Sequence, residues 1–417
     1  MTSNAANGEQ KIPVIYMCYD GVLESLGESQ VVAYLEILAD DYAIHLISFE
    51  KPADAARKEL VARMSRRLET AGIIWHRRRY HKRPRILSTL WDMGGAILLA
   101  MWLAVRHRAR VLHARSVLCA AMLYPARIIS RALFVVDIRG FWVDERVDAG
   151  LIPPGGIVFR VLKRIEKTML RNADHIVTLT HASVPYLRDD ERLGRKRAPI
   201  SVIPTCADLD LFSPDEKSAE TRSTARGEAP LTIGYVGQLG TWYMLEEMLA
   251  FFAAVRRLRP EARLLVINKH QQDEVRAGLE RAGIDPAAVE IRGATRDEMP
   301  AQIRRMDAGL ALIRPYFSKI ASAPTKLAEY LGCGVPVVGN AGCGDMVRII
   351  EDDGVGVAMV DTQADTIEAA AIALLDRLED PAIAARCTAS ARRHFLLTDG
   401  AARYREIYRS LATDRPS

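Results

Sequence analysis

The sequence predicts two doubly wound α/β domains that face each other across a cleft. Two observations carry that expectation. Short apolar strand candidates alternate with longer helical patterns, and the alternation stops at one polar stretch and then restarts. Continuous apolar strands divided by helices belong to parallel sheets covered on both faces. The length agrees: at ~100–200 residues per domain, a chain of 417 residues should hold two or three domains.

Taken in order, a polar tail (1–11) precedes the first strand candidate, VIYMCY at 14–19. AIHLISF (43–49), RVLHA (110–114), LFVVDI (133–138), HIVTLT (175–180) and ISVIP (200–204) follow. Helical periodicity covers 28–39, 55–71, 86–107 and 157–172 between them, so residues 12–204 form the first domain. Residues 205–230, with the charged run SPDEKSAETRSTARGEAP inside them, read as a linker. The second domain, 231–395, holds strand candidates at 231–237, 263–268, 289–293, 308–313, 335–339 and 355–360. The closing segment 396–417 carries a helical pattern at about 397–411 that is expected to cross back to the first domain.

Hydrophobic residues make up 49% of the chain, enough for sizeable cores, and the net charge of +5 is a mild excess of base. The six cysteines stand singly, without a C-x-x-C pair, and read as core residues in a reducing compartment. The nine histidines show no metal-ligand spacing, so no metal is expected. The polar start lacks the apolar region of a secretory signal, and no run of ~20 apolar residues is present. A cytoplasmic protein follows as the expectation.

Ligands of doubly wound sheets sit beyond the carboxyl ends of the strands, so the strand-to-helix loops matter most. In SAPTKLAEYLGCGVPVV (322–338), Pro324 suits the first turn of a helix and leaves the amides of Thr325 and Lys326 at the positive end of its dipole. Lys319 and Lys326 add mobile charge, as phosphate binding would require. Glu329, one turn on, can accept both hydroxyls of a ribose, or can simply pair with Lys326 at the surface. Gly27, in DGVLESLGESQV (20–31), stands just before a helix expected from Glu28, where a ligand could approach backbone amides or an ordinary turn could need glycine. The loop DIRGFWVDERVDAG (137–150) combines Arg139, Asp144 and Glu145 with Trp142, as an acceptor-sugar site or a salt-bridged surface loop would. GYVGQLGTW (234–242) is a poor dinucleotide fingerprint and reads as a tight turn near a ligand.

Together these stretches resemble the retaining glycosyltransferases of GT-B architecture, the family 4-like "group 1" type with two Rossmann-like domains. PTKLAEYLGCGVPVV resembles that family's sugar-nucleotide segment, and SVIPTCADLDLFSP (201–214) its domain-closing segment. GYVGQLG, SLGESQV and HARS with DIRGFWVDERVDAG are similar to a bacterial branch. The resemblance implies sugar transfer from a nucleoside diphosphate-sugar to a glycan or lipid-linked acceptor in cell-surface polysaccharide synthesis, without a metal or other cofactor. It implies catalytic roles for Arg139, Lys326 and Glu329. Gly27, Gly237, Gln238, Ser318, Lys319, Thr325, Lys326 and Glu329 would hold the donor, and Arg115, Trp142, Asp144 and Glu145 the acceptor.

The sequence departs from the family pattern in three places. Ala321 stands where a second glutamate is common, and Gln238 and Tyr243 replace an arginine and a lysine. The leaving diphosphate would then depend on Lys326, Arg139, Lys319 and the helix end. A sugar-nucleotide epimerase of the same architecture and a non-catalytic homologue are the alternatives. The basic, partly apolar segment 75–110 suggests contact with an anionic membrane, or a buried helix behind a basic loop; no nucleic-acid motif accompanies it.

Overall fold

The computed structural model describes residues 11–81, 85–188, 198–214 and 230–413. Residues 1–10 of the expected tail, 215–229 of the linker, Lys82 and Arg83 of the basic segment, and 414–417 lie outside them.

The first sheet has seven strands: β1 (Ile12–Cys18), β2 (Tyr42–Glu50), β3 (Ile74–Arg79), β4 (Val111–Arg115), β5 (Leu133–Ile138), β6 (His175–Thr178) and β7 (Ile200–Val202). Their order is β3-β2-β1-β4-β5-β6-β7, all parallel, with Val14 of β1 opposite Ile44 on one side and Val111 on the other. The second sheet repeats the plan with β8 (Thr232–Val236), β9 (Arg263–Ile267), β10 (Val289–Arg292), β11 (Ala308–Ala311), β12 (Val337–Asn340) and β13 (Gly356–Met359), in the order β10-β9-β8-β11-β12-β13. In each sheet the chain reverses direction of travel beside its first strand. Loops leaving β1 and β4, and β8 and β11, therefore flank a crevice.

Strand β3 corrects the sequence reading. IWHRRR lacks an apolar run because it is an edge strand, with Arg77 and Arg79 exposed and only one neighbour to pair with. Arg77, Arg78 and Arg79 thus belong to a charged sheet edge and not to a loop. The helix after it runs Arg85–Arg106, and no helix among the described residues is long and apolar enough to cross a membrane.

The final helix, Leu397–Thr413, packs against helix Ala33–Leu38 of the first domain. Tyr404, Ile407 and Tyr408 join the same core as Val14, Leu38 and Leu46. Tyr404 meets Tyr34 edge-on at 5.7 Å, and Tyr408 meets Tyr42 at 5.1 Å. Such aromatic pairs add ~0.5–1.5 kcal/mol each beyond their burial.

Candidate active site

A cavity of about 470 Å³ lies between the two domains. The first domain contributes Asp20, Gln30, Arg115, Ser116, Arg139, Trp142 and Glu145; the second contributes Trp242, Tyr243, Lys319 and the Ser322–Thr325 turn. These are the loops after β1, β4, β5, β8 and β11, as the topology requires.

Helix Thr325–Gly332 points its first turn at this cavity, with Pro324 at its cap and Thr325 on the wall. The amides of Thr325 and Lys326 have no acceptor within their own helix. Lys326 then turns its side chain inward. It is 5% exposed, its Nζ lies 4.1 Å from the Tyr235 ring and 4.3 Å from the Tyr243 ring, and that nitrogen has no hydrogen-bond partner. Burial pulls its pKa down to about 7, against an opposing pull from Glu329. Glu329 is half-buried one turn on; burial raises its pKa, while Arg296 and then Lys326 hold it down. Gly237 makes room for the ammonium: it has φ +133°, and a Cβ there would stand 3.1 Å from Lys326 Nζ.

On the facing wall, Asp137 at the end of β5 anchors a buried polar network. Tyr404 of the last helix donates to its Oδ2 at 2.8 Å, His113 Nε2 lies 3.5 Å from the same oxygen, and Arg139 Nη1 lies 3.6 Å from Oδ1. Burial alone would raise the pKa of Asp137, but Arg139, His113 and Arg115 hold it well below the usual carboxylate range. The carboxylate stays charged and keeps Arg139 and the buried Arg115 at the cavity. Gln30 also accepts from Arg139 at 3.4 Å.

Several residues sit differently from the sequence expectation. Gly27 lies inside a helical segment, Ser25–Gly27, that continues through a π turn; a Cβ there would come within 2.1 Å of the Gly21 carbonyl. Its smallness serves backbone packing, and the nearby amides of Val22 and Leu23 already donate to the buried Glu50 at 3.1 Å each. Ser318 is fully buried, its amide donating to Asp148, and it does not line the cavity. Asp144 is turned away to accept from Lys163 at 2.6 Å. Lys319 and Glu145 line the cavity but spend charge on each other at 2.8 Å, with Lys319 Nζ also 3.8 Å from the Trp242 ring. Gln238 is exposed, and its carbonyl accepts from the Tyr235 hydroxyl. Trp142 lines the cavity with the Arg146 guanidinium stacked 3.3 Å from its ring centre.

Sequence reasoning passed over Ser116 and Trp242. Ser116 has φ 112°, a strained value for a residue with a Cβ, and caps helix Val117–Ser130 beside the cavity. Nothing in its local sequence announces that strain. The absent second glutamate has a structural reason: Ala321 is fully buried in the apolar core of the first domain, at the end of the turn Phe317–Ala321, where a carboxylate would be stranded. Among the described residues, no group of three or more His, Cys, Asp or Glu side chains is placed to hold a metal ion.

The sequence matches the family model "Glycosyl transferase 4-like domain" over residues 29–206 and "Glycosyl transferases group 1" over 230–380. No curated protein matches it. Among solved structures it is similar to Anabaena HepE in complex with UDP, with a TM-score of 0.69 at 16% identity over 96% of this chain and 100% of that one. HepE has also been solved with UDP-glucose. Sucrose-phosphate synthase from Thermosynechococcus elongatus gives a TM-score of 0.72 at 14% identity, covering 97% and 100%. A candidate UDP-N-acetylglucosamine 2-epimerase from Listeria monocytogenes gives 0.61 at 13% identity, covering 97% and 98%. At these identities the likeness is one of fold.

Proposed function

The chain belongs to the family 4-like, group 1 glycosyltransferases of GT-B fold, which move sugars from nucleotide-sugars, and from that premise we propose a retaining transfer to a lipid-linked or glycan acceptor in bacterial cell-surface polysaccharide synthesis. The observation that carries the donor site is the buried, unpartnered ammonium of Lys326 beside two free amides at a helix start. An orphaned buried cation is costly, and a diphosphate there would relieve the cost.

In this reading the diphosphate rests on the Thr325 and Lys326 amides, with Lys326 Nζ and, across the cavity, Arg139 facing its developing charge. Lys326 thus takes over from the cations missing at Gln238 and Tyr243, and it can do so because Tyr243 provides a ring face where the family carries a cation. Glu329 accepts the ribose hydroxyls. The acceptor enters between Trp142 and the Arg115 side. As the bond from the anomeric carbon to the phosphate oxygen breaks, the acceptor oxygen bonds the same face, and its proton passes to the leaving phosphate. No cofactor beyond the donor takes part. Donors of charge stabilisation at such a centre are each worth ~3–4 kcal/mol of barrier.

The test is to incubate the protein with UDP-, GDP-, ADP-, CDP- and dTDP-sugars, with and without a bacterial lipid extract, and to follow the anomeric signals by NMR. Acceptor-dependent release of the nucleotide with an unchanged anomeric configuration supports the proposal. Conversion of the donor sugar without acceptor would make the protein an epimerase, and an inverted product would overturn the retaining mechanism.

A further inference from the structure

Three neighbouring helices on the first domain carry an unusual surface. Helix Arg85–Arg106 packs against helix Val117–Ser130, which packs against helix Ile157–Asn172. The first exposes Trp91, Leu98, Trp102 and Val105, whose spacing places them along one side. Trp91 is 75% exposed.

The third helix sends Met169 and Leu170 into the core, yet it also turns polar groups inward and apolar ones outward. Its inward side holds Glu166, buried, with Lys163 bonded to both Glu166 and Asp144 at 2.6 Å. Its outward side holds Ile157, Val158, Val161 and Ile165, with Ile157 73% exposed. Such an arrangement is costly in water, where apolar surface of this extent marks a partner.

Charge identifies which partner. The three helices contain two acids, Asp92 and Glu166; both are buried, Asp92 against His81 and Glu166 against Lys163. Arg106, Arg160, Arg164 and Arg171 on the same helices are exposed. The outer face is therefore apolar and positive, with no acid among its described residues to balance it. A second copy seated on this face would bring the same arginines together. An anionic bilayer offers both an apolar interior and negative headgroups.

We propose that this face seats the protein on an anionic lipid surface, with the apolar side chains in the interfacial layer and the arginines at the headgroups. The Asp144–Lys163 bond joins the third helix to helix Trp142–Asp148, whose Trp142 and Glu145 line the cavity. The helix that carries this apolar face is therefore tied through its inward side to the proposed acceptor wall, and the inference builds on the lipid-linked reading above.

The full-length protein is sedimented with vesicles of phosphatidylcholine alone and of phosphatidylcholine with phosphatidylglycerol, over a range of salt. Two variants are run beside it, Val161→Glu/Ile165→Glu and Trp91→Ser/Trp102→Ser, with thermal melts confirming that these exposed changes leave the fold intact. Wild type is expected to bind the anionic vesicles, weakening with salt, and each variant to lose on the order of tenfold or more in partitioning. Undiminished binding by both variants would overturn the proposal, as would no wild-type binding to anionic vesicles. Loss in the variants of a wild-type dimer seen by ultracentrifugation, without vesicle binding, would assign the face to self-association instead. Vesicle binding that persists in a protein giving no sugar transfer would remove the proposed function and leave the membrane face standing.

Discussion

Lys326 joins the local sequence to the chemistry. Pro-Thr-Lys marks a helix start and two free amides, and that much is legible in the sequence. The two tyrosine rings that receive the ammonium come from β8 and the loop after it, so their role emerges only when the sheet assembles. Because the folded pKa is depressed to about 7 from 10.5, the unfolded chain holds a proton that the folded one sheds across that window, and stability should rise with pH through it. Lys326→Met should flatten this rise in urea titrations at successive pH values and should abolish nucleoside diphosphate binding. Binding of the diphosphate by wild type should take up protons near pH 7 and weaken as pH rises further, which calorimetry in buffers of different ionisation enthalpy will read. Gly237→Ala should cost ~1–3 kcal/mol from its positive φ and the crowded ammonium, seen as a lower urea midpoint.

The last helix shows how a whole element can serve a site it does not line. Its apolar periodicity is readable, but its aim at Asp137 through Tyr404 is not, since 267 residues separate them along the chain. Tyr404→Phe keeps the ring packing and removes one buried hydrogen bond to a charge, so it should cost ~1.5–3 kcal/mol of stability. It should also lower kcat more than KM, because Arg139 loses part of its support, whereas a merely structural residue would leave the kinetics of the folded enzyme unchanged. The element that sequence reasoning missed, β3, failed for an equally physical reason: an edge strand needs neither alternation nor an apolar run. Gly27 sits inside a helical segment and not just before one, and a glycine needed for backbone packing looks identical in sequence to one needed for ligand approach.

At the scale of the molecule, two parallel-sheet domains follow from alternation, whereas β3, the order of the strands and the contacts across the cleft do not. Lys319 of the second domain pairs with Glu145 of the first; Thr180 donates to the Ile320 carbonyl; Asp345 caps the amides of His181 and Ala182 at 2.7 and 3.0 Å. Each joins loops far apart in the chain, so no local pattern predicts it. Asp345→Ala should loosen this closure, costing ~1 kcal/mol as a lost cap does and raising susceptibility to proteolysis near residues 181–183. The same cleft contacts explain why Lys319, read as a donor cation, arrives already paired.

The central claim is that a nucleoside diphosphate binds at the start of helix Thr325–Gly332, where Thr325 lines the cavity and Lys326 and Glu329 lie behind it. The most direct measurement is a thermal-shift series with UDP, GDP, CDP, ADP and dTDP on wild type, Lys326→Met and Glu329→Ala. Ligand that binds only the folded state raises the melting midpoint by mass action. One diphosphate should raise the wild-type midpoint and leave both variants unmoved. Equal shifts in wild type and variants, or no shift with any of the five, would contradict the account.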